Sequence, residues 1–486
     1  MSQEVRSLSP KSIWKNFADL NAVPRPSKKE ERVRQFMKTF GKSSGLETLE
    51  DNIGNIIIKK PATSGMEDRQ TVVMQSHLDM VHQKNNDTTF DFDREGIQMY
   101  VDEDWVRAKG TTLGADNGLG VATIMAVLES KDLPHPAIEA LFTIDEETGM
   151  TGAKELDESI LSGSILLNLD TEEDDHIDIG CAGGVDVTVT HAYKEEKTAS
   201  DDTFFTLSIK GLQGGHSGMD IHKGLGNANK LAARFLNIGI KHGIRLISFK
   251  GGSLRNAIPR EAVVTFCLSA EANNEFQGEF EELKSAVQVE FNAIEPNLKI
   301  ALLSTEAADK AMSISDSGKF IQALHAAHNG VFRMSPTIED LVEASNNVAR
   351  VTLKNGTLEI ACLTRSSVDS TKWQVAEGLQ AIFELAGYQV KFSGDYPGWA
   401  PNTDSAILDV VKRLYVQLND GEEPHVGACH AGLECGIIGE HYPNLDMISF
   451  GPTIRGAHSP DERVSISSVQ KFWTFVQEIL KEIPKK

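Results

Sequence analysis

The segment Val72-Val-Met-Gln-Ser-His77-Leu-Asp79 carries the fold class in its pattern. Its apolar, β-branched opening predicts a strand over 72–75, and because alternate residues of an extended chain face one way, His77 and Asp79 share one side. Working outward, strands are predicted over 55–58, 138–144 and 165–169, while 118–128 places Leu119, Ala122, Met125 and Leu128 on one helical face. Strands alternating with helices predict a sheet covered by helices over residues 1 to about 185. Beyond 400, a strand over 447–450 and a long helix over about 465–483 return to that style and complete the first domain.

Two stretches interrupt this texture, the polar 194–202 and the Gly/Pro-rich 393–401, and they read as crossings into and out of an insertion. The predicted class is α/β, with a mixed sheet carrying helices on both faces in 1–186 and 399–486, and an inserted α+β domain over 187–398. The insertion carries a faint duplication. Ser253-Leu-Arg-Asn-Ala-Ile precedes a predicted strand over 262–268, Ser345-Asn-Asn-Val-Ala-Arg precedes one over 357–363, and each follows a helix-like segment.

Forty-eight Lys+Arg against 70 Asp+Glu leave a net charge of −22 over 486 residues, which argues against a phosphate backbone as partner. No apolar stretch approaches the roughly 18 residues of a membrane span, and the start lacks a signal-peptide core, so a cytoplasmic protein without membrane contact is expected. The five cysteines, at 181, 267, 362, 429 and 435, form no Cys-x-x-Cys pair and fit reduced thiols, although Cys429 and Cys435 flank His430 as metal ligands sometimes do.

The predicted strands of the first domain lead into chemistry. Besides His77 and Asp79 there are Asp145-Glu146-Glu147, Asp170 after Leu166-Leu-Asn-Leu, and the late Ile454-Arg-Gly-Ala-His458-Ser-Pro-Asp461-Glu462. Gly114-Ala-Asp116-Asn117-Gly118 sits at the mouth of the first clear helix. Taken singly, a His-x-Asp is a local hydrogen bond, paired glutamates are a solvated turn, and an aspartate before a helix is an N-cap. Ligand sites of open α/β sheets lie beyond the carboxyl ends of strands, however, and these segments can converge there. Imidazoles and carboxylates together are the ligand set of a borderline metal such as zinc. Asp116, Glu147 and Asp170 would balance two divalent ions and one hydroxide.

In this order and spacing the motifs resemble the co-catalytic dizinc metallopeptidases that include aminoacylase, carboxypeptidase G and carnosinase, over essentially the whole chain. Within that family the chain is most similar to bacterial dipeptidases that cleave Xaa-His peptides, β-alanyl-histidine among them. The resemblance implies two zinc ions per chain, replaceable by cobalt or manganese, in a catalytic domain split by an inserted lid and dimerisation domain. It implies Asp116 as the ligand bridging both ions, His77 and Asp170 completing one ion's protein ligands, and Glu147 and His458 the other's. Asp79 would orient the His77 ring. Glu146 would be the general base, taking a proton from water acidified between the ions and returning it to the leaving amine. A cis peptide after Asp116 is implied as well.

Three motifs of the insertion bear on substrate through the same resemblance. Gly214-Gly-His216-Ser-Gly matches the lid histidine that stabilises the oxyanion, with nearby His222 as the competing assignment. Gly251-Gly-Ser-Leu-Arg-Asn256 matches a substrate-holding asparagine, and Ala361-Cys-Leu-Thr-Arg365 the arginine that grips the free carboxylate. Read from the residues alone, these stretches are a glycine-rich hairpin, a turn and a surface ion pair. In the family, aspartate at the Asp170 position goes with acceptance of a free α-amino group, which favours a dipeptidase. The alternatives are an N-acyl amino acid deacylase and a catalytically silent metal-dependent binding protein, the latter disfavoured because a binder needs no Glu146. A homodimer joined through the lid is expected, with a small dipeptide as substrate and no nucleic acid.

Overall fold

The computed structural model describes residues 3–486 and separates into two compact units. The first comprises the chain up to Cys181, Trp399–Ala428 and Leu433–Lys486; the second comprises Ala182–Gly398 and Cys429–Gly432.

The first unit is built on a sheet whose strands run, in spatial order, Glu47–Glu50, Ile56–Lys60, Ile138–Thr143, Val72–His77, Ile165–Asn168, Asp446–Ser449, His176–Cys181 and His425–Cys429. The four central strands are mutually parallel, and Ile56–Lys60 is antiparallel both to its hairpin partner Glu47–Glu50 and to Ile138–Thr143. Every residue of Ile138–Thr143, Val72–His77 and Ile165–Asn168 is buried, as expected where both faces of a sheet are covered. A second, four-stranded sheet joins Met99–Asp102 and Trp105–Ala108 to Ile454–Arg455 and Arg463–Ser465.

The helix expected at 118–128 spans Ala115–Glu129 and differs in kind from a one-faced helix. Val121, Ile124 and Val127 are as buried as Leu119 and Ala122, because the helix packs on both Val72–His77 and the helix Lys11–Leu20. A helix apolar all round is a buried helix. The last helix, Ile466–Glu482, begins where Ser465 caps it, its hydroxyl accepting from the Ser468 amide at 3.1 Å.

The second unit holds a nine-stranded antiparallel sheet. Lys299–Ser304, Asp202–Lys210, Ala262–Ser269 and Arg245–Gly251 form one half; Val342–Lys354, Thr357–Ser366, Gly183–Ala192 and Gln389–Tyr396 form the other, and Gly330–Met334 is added beside Val342–Lys354. The halves meet where Phe249 pairs with Leu353 and Gly251 with Val351. Each contains a hairpin preceded by one helix and followed by another that leads to an edge strand: Ala228–Ile238 and Asn273–Phe291 in the first, Ile314–Ala326 and Asp369–Leu385 in the second. The duplication is therefore real in topology, but the motif register expected for it is wrong. Ser253 lies in the loop between its two strands, whereas Ser345 lies inside Val342–Lys354. In the second half a two-residue Asn355-Gly356 turn, with φ of 54° and 76°, closes the hairpin that a long loop closes in the first. The polar 194–202 stretch lies wholly within this unit and contains the strand Glu195–Lys197. None of the five cysteines is in a disulfide, and Cys429 alone among them is partly exposed.

Candidate metal centre

The parallel strands bring the acidic and imidazole segments to one edge of the first unit's sheet. Val72–His77 ends on His77, Ile138–Thr143 runs into Glu146 and Glu147, and Ile165–Asn168 leads to Asp170. Asp446–Ser449 feeds the loop that carries His458. Asp116 lies at the start of Ala115–Glu129, but its backbone (φ −78°, ψ 112°) is not helical, and the Asp116–Asn117 peptide is cis. Asp145 and His458 have φ of 56° and 62°, left-handed backbone that non-glycine residues adopt at some cost, and both sit at this edge.

Asp116 divides its oxygens between two imidazoles. Oδ1 lies 3.2 Å from His77 Nε2, and Oδ2 lies 3.1 Å from His458 Nε2. His77 Nε2 is also 3.6 Å from Asp170 Oδ1, and His458 Nε2 is 3.1 Å from Glu147 Oε2. Two sets capable of holding a metal ion follow, His77/Asp116/Asp170 and Asp116/Glu147/His458, and they share Asp116. Glu146 stands 3.9 Å from His77 Nε2 and forms a further such set with His77 and Glu147, so distance alone does not separate it from the ligands.

Asp79, fully buried, organises this edge. Oδ1 lies 3.3 Å from His77 Nδ1 and accepts from the Glu146 amide at 3.0 Å. Oδ2 accepts from the Glu147 amide at 3.2 Å and from the Ser27 hydroxyl at 2.8 Å. With Nδ1 turned to Asp79, the His77 ring presents Nε2 to Asp116. Asn117 donates its side-chain amide to the Leu169 carbonyl at 2.7 Å and to Asp170. Ser27 has no signature in the sequence, and Asn117 stands in the Gly114–Gly118 motif without a role assigned to it, since their roles depend on partners 52 and 53 residues away.

The electrostatics are those of crowded buried carboxylates. Burial, with Asp116 and Glu147 nearby, pushes Asp170 up to about 7. Burial, with Asp170 and Glu147 nearby, holds Glu146 well above the usual range, and burial beside Asp116 raises Glu147. Hydrogen bonds to Asp116 and Glu147 lift His458 to about 11. Burial works against charging His77, yet Asp170, Asp116 and Asp79 outweigh it and raise that ring well above its ordinary value. Such a cluster calls for positive charge. The donor set suits two borderline divalent ions, and Glu147 Oε1 is buried with no hydrogen-bond partner among the described residues.

The second unit holds the other predicted residues. His216 Nδ1 accepts from the backbone amides of Gly218 at 3.2 Å and Met219 at 3.1 Å, which leaves the proton of the neutral ring on Nε2. His222 stands exposed on the 3₁₀ turn Ile221–Lys223. The loops around His216 and Asn256 are tied together, the Ser217 amide donating to the Asn256 carbonyl at 2.8 Å and the Ile258 amide to Gly215 at 2.9 Å; the Asn256 side chain is exposed. Arg365 is no surface ion pair. It is only 6% exposed, Nη1 donates to the Tyr396 hydroxyl at 3.0 Å, and Nε has no partner among the described residues.

Residues 73–482 match the profile of peptidase family M20/M25/M40. The chain is 46% identical to the cytosol non-specific dipeptidase of Escherichia coli over 486 residues, 99% of this chain and 100% of the relative. It is also 46% identical to aminoacylhistidine dipeptidase from Vibrio alginolyticus, whose crystal structure superposes with a TM-score of 0.93 over 100% of this chain and 99% of that one. Aminopeptidase PepT from Bacillus cereus shares the fold at 16% identity and a TM-score of 0.57, over 98% and 99% of the two chains. The mixed α/β architecture, the profile match and the full-length relatives agree, and the chain belongs to peptidase family M20/M25/M40.

Proposed function

We propose that this hydrolase is a dipeptidase that cleaves peptides with a free amino terminus and a free carboxylate, Xaa-His peptides and β-alanyl-histidine among them, at a centre of two divalent ions, zinc in the first instance. The observation that carries the reading is the division of the Asp116 oxygens between His77 and His458, which gives two ligand sets with one carboxylate in common. Support for the substrate class comes from the names of the two full-length relatives, a non-specific dipeptidase and an aminoacylhistidine dipeptidase.

His77, Asp116 and Asp170 would hold one ion, and Asp116, Glu147 and His458 the other. Bound there, the ions would lower the pKa of water and polarise the scissile carbonyl. The remaining steps belong to side chains. Glu146, whose buried carboxyl binds a proton more tightly than usual, takes one from the attacking water and passes it to the leaving amine. His216 donates its Nε2 proton in a hydrogen bond to the carbonyl oxygen as negative charge builds. Arg365 grips the substrate carboxylate, with Nε left without a partner among the described residues beside the bond from Nη1 to Tyr396, and Asn256 helps to hold the substrate. The second unit then acts as the lid.

A substrate panel tests the reading. Free dipeptides, Xaa-His included, should be cleaved while their N-acetylated and C-amidated forms are poor substrates; preference for the acetylated forms would make the enzyme a deacylase. From the resemblance we also carry a homodimer joined through the lid, which a fully active monomer in sedimentation experiments would remove. No helix among the described residues is long and apolar enough to cross a membrane, and we place the protein in the cytosol with its Escherichia coli relative.

A further inference from the structure

Two buried charges beside the ligands take no part in the chemistry above. Glu462 is 2% exposed, and its carboxylate accepts four consecutive backbone amides. Oε2 takes Leu113 at 2.7 Å and Gly114 at 3.0 Å; Oε1 takes Ala115 at 2.7 Å and Asp116 at 3.3 Å. Helix N-termini bind anions through such unpaired amides, and here the chain supplies its own anion. On the other side stands Arg25, 1% exposed. Nη1 donates to the carbonyls of Leu78 at 3.0 Å and Asp79 at 2.9 Å; Nη2 donates to Gly114 at 2.6 Å and to Asn21 Oδ1 at 3.1 Å. Gly114 is thus held at its amide by Glu462 and at its carbonyl by Arg25. Its φ of 70° and the 2.5 Å that would separate a Cβ from Arg25 Nη2 leave room only for glycine.

Each grip ends at a ligand. Glu462 holds the amide of Asp116 itself, and it sits four residues after His458 in a loop braced by the Ser459 hydroxyl on the Gly456 carbonyl at 2.7 Å and by the Glu462 amide on the Ser459 carbonyl at 3.1 Å. Arg25 holds the Asp79 carbonyl, which lies 3.2 Å from His77 Nδ1. We propose that Glu462 and Arg25 are positioning residues that pre-assemble the two-metal site: Glu462 couples the His458 loop to the Asp116 carboxylate, and Arg25 couples the end of the His77 strand to the same peptide segment. A buried charge adds little to stability, and in some proteins it serves instead to fix one arrangement of the groups it binds, the role we assign to these two. The inference rests on Asp116, His77 and His458 being ligands.

The test measures metal binding rather than turnover. Full-length wild type, Glu462→Gln and Arg25→Lys are stripped of metal, and Co²⁺ is titrated in competition with a chelator while the visible spectrum and the thermal midpoint of the metal-free protein are recorded. Glutamine keeps the shape but presents amide hydrogens to donors; lysine keeps the charge but loses the fork. The expected result is binding weakened about 10- to 100-fold, the usual cost of losing a group that orients a ligand, with an altered Co²⁺ spectrum in both variants. Wild-type affinity and an unchanged spectrum would overturn the proposal even if the metal-free midpoint fell, because that is what a purely structural role gives. Should Glu462→Gln fail to fold, Arg25→Lys decides by the same criteria. Wild type binding fewer than two ions would instead refute the ligand assignment, a separate failure.

Discussion

The adjacent glutamates are the sharpest test of the mechanism, because the structure leaves both within reach of the metal ligands and assigns them different neighbours. Glu147 is almost fully buried, 3.1 Å from His458, and shares a set with Asp116. Glu146 comes no nearer than 3.9 Å to His77. Glutamine is nearly isosteric with glutamate, so either substitution preserves packing and removes only charge and basicity. At position 146 that abolishes proton transfer, worth about 10²–10⁴-fold in rate, or roughly 3–5.5 kcal/mol of barrier. At position 147 it removes one of three protein ligands. Apparent zinc-binding energies of about 10–16 kcal/mol shared over four ligands put each near 3 kcal/mol, or about 10²-fold in affinity. Elemental analysis after gel filtration should therefore find two ions in Glu146→Gln and about one in Glu147→Gln. Steady-state kinetics should show Glu146→Gln losing kcat with little change in KM. If Glu146→Gln lost a metal while Glu147→Gln kept both, the roles would be exchanged; if neither slowed turnover, hydrolysis would not occur at this cluster.

Chelation should abolish activity, with zinc, cobalt or manganese restoring part of it, and should lower the thermal midpoint, since a ligand present at 100 times its Kd stabilises by about 2.7 kcal/mol; a midpoint indifferent to chelator would count against a folded-state metal site. Arg365→Ala should raise KM for free dipeptides by a factor consistent with about 2–4 kcal/mol for a partly buried charge-assisted contact, and leave C-terminal amides unaffected. Equal losses on acid and amide would remove the carboxylate role. His430 is pushed down to about 3 by burial and by the nearby Arg365, His216 and His222, so it stays neutral in the folded protein. Below the unfolded value near 6.5 the unfolded chain binds a proton that the folded chain refuses, and stability falls with pH by up to about 1.4 kcal/mol per unit until about pH 3. Urea denaturation between pH 6.5 and 4 should show a shallower fall in His430→Asn than in wild type; parallel curves would show that this ring does not drive the acid sensitivity.

The sequence by itself determined the parts that depend on neighbours along the chain. The largely apolar runs at 72–75, 138–144, 165–169 and 447–450 coincide with the four central strands, because a strand covered on both faces is predominantly apolar. The segments following them hold His77, Asp79, Glu146, Glu147, Asp170 and His458, since a parallel sheet puts the ends of successive strands at one edge. The all-round burial of Ala115–Glu129 escaped local reading because it depends on Lys11–Leu20, distant in sequence. For the same reason the duplication misled at Ser253 and Ser345: its halves correspond in the order and pairing of their elements, while their hairpin loops differ in length. Only the tertiary structure decided which Asp116 oxygen meets which imidazole, that the Gly218 and Met219 amides point at Nδ1 of His216, and that Arg25 and Glu462 grip one peptide segment from residues 89 and 348 positions away. Those facts are hydrogen bonds between groups that periodicity cannot bring together, and their geometry exists only once the sheet has placed the loops.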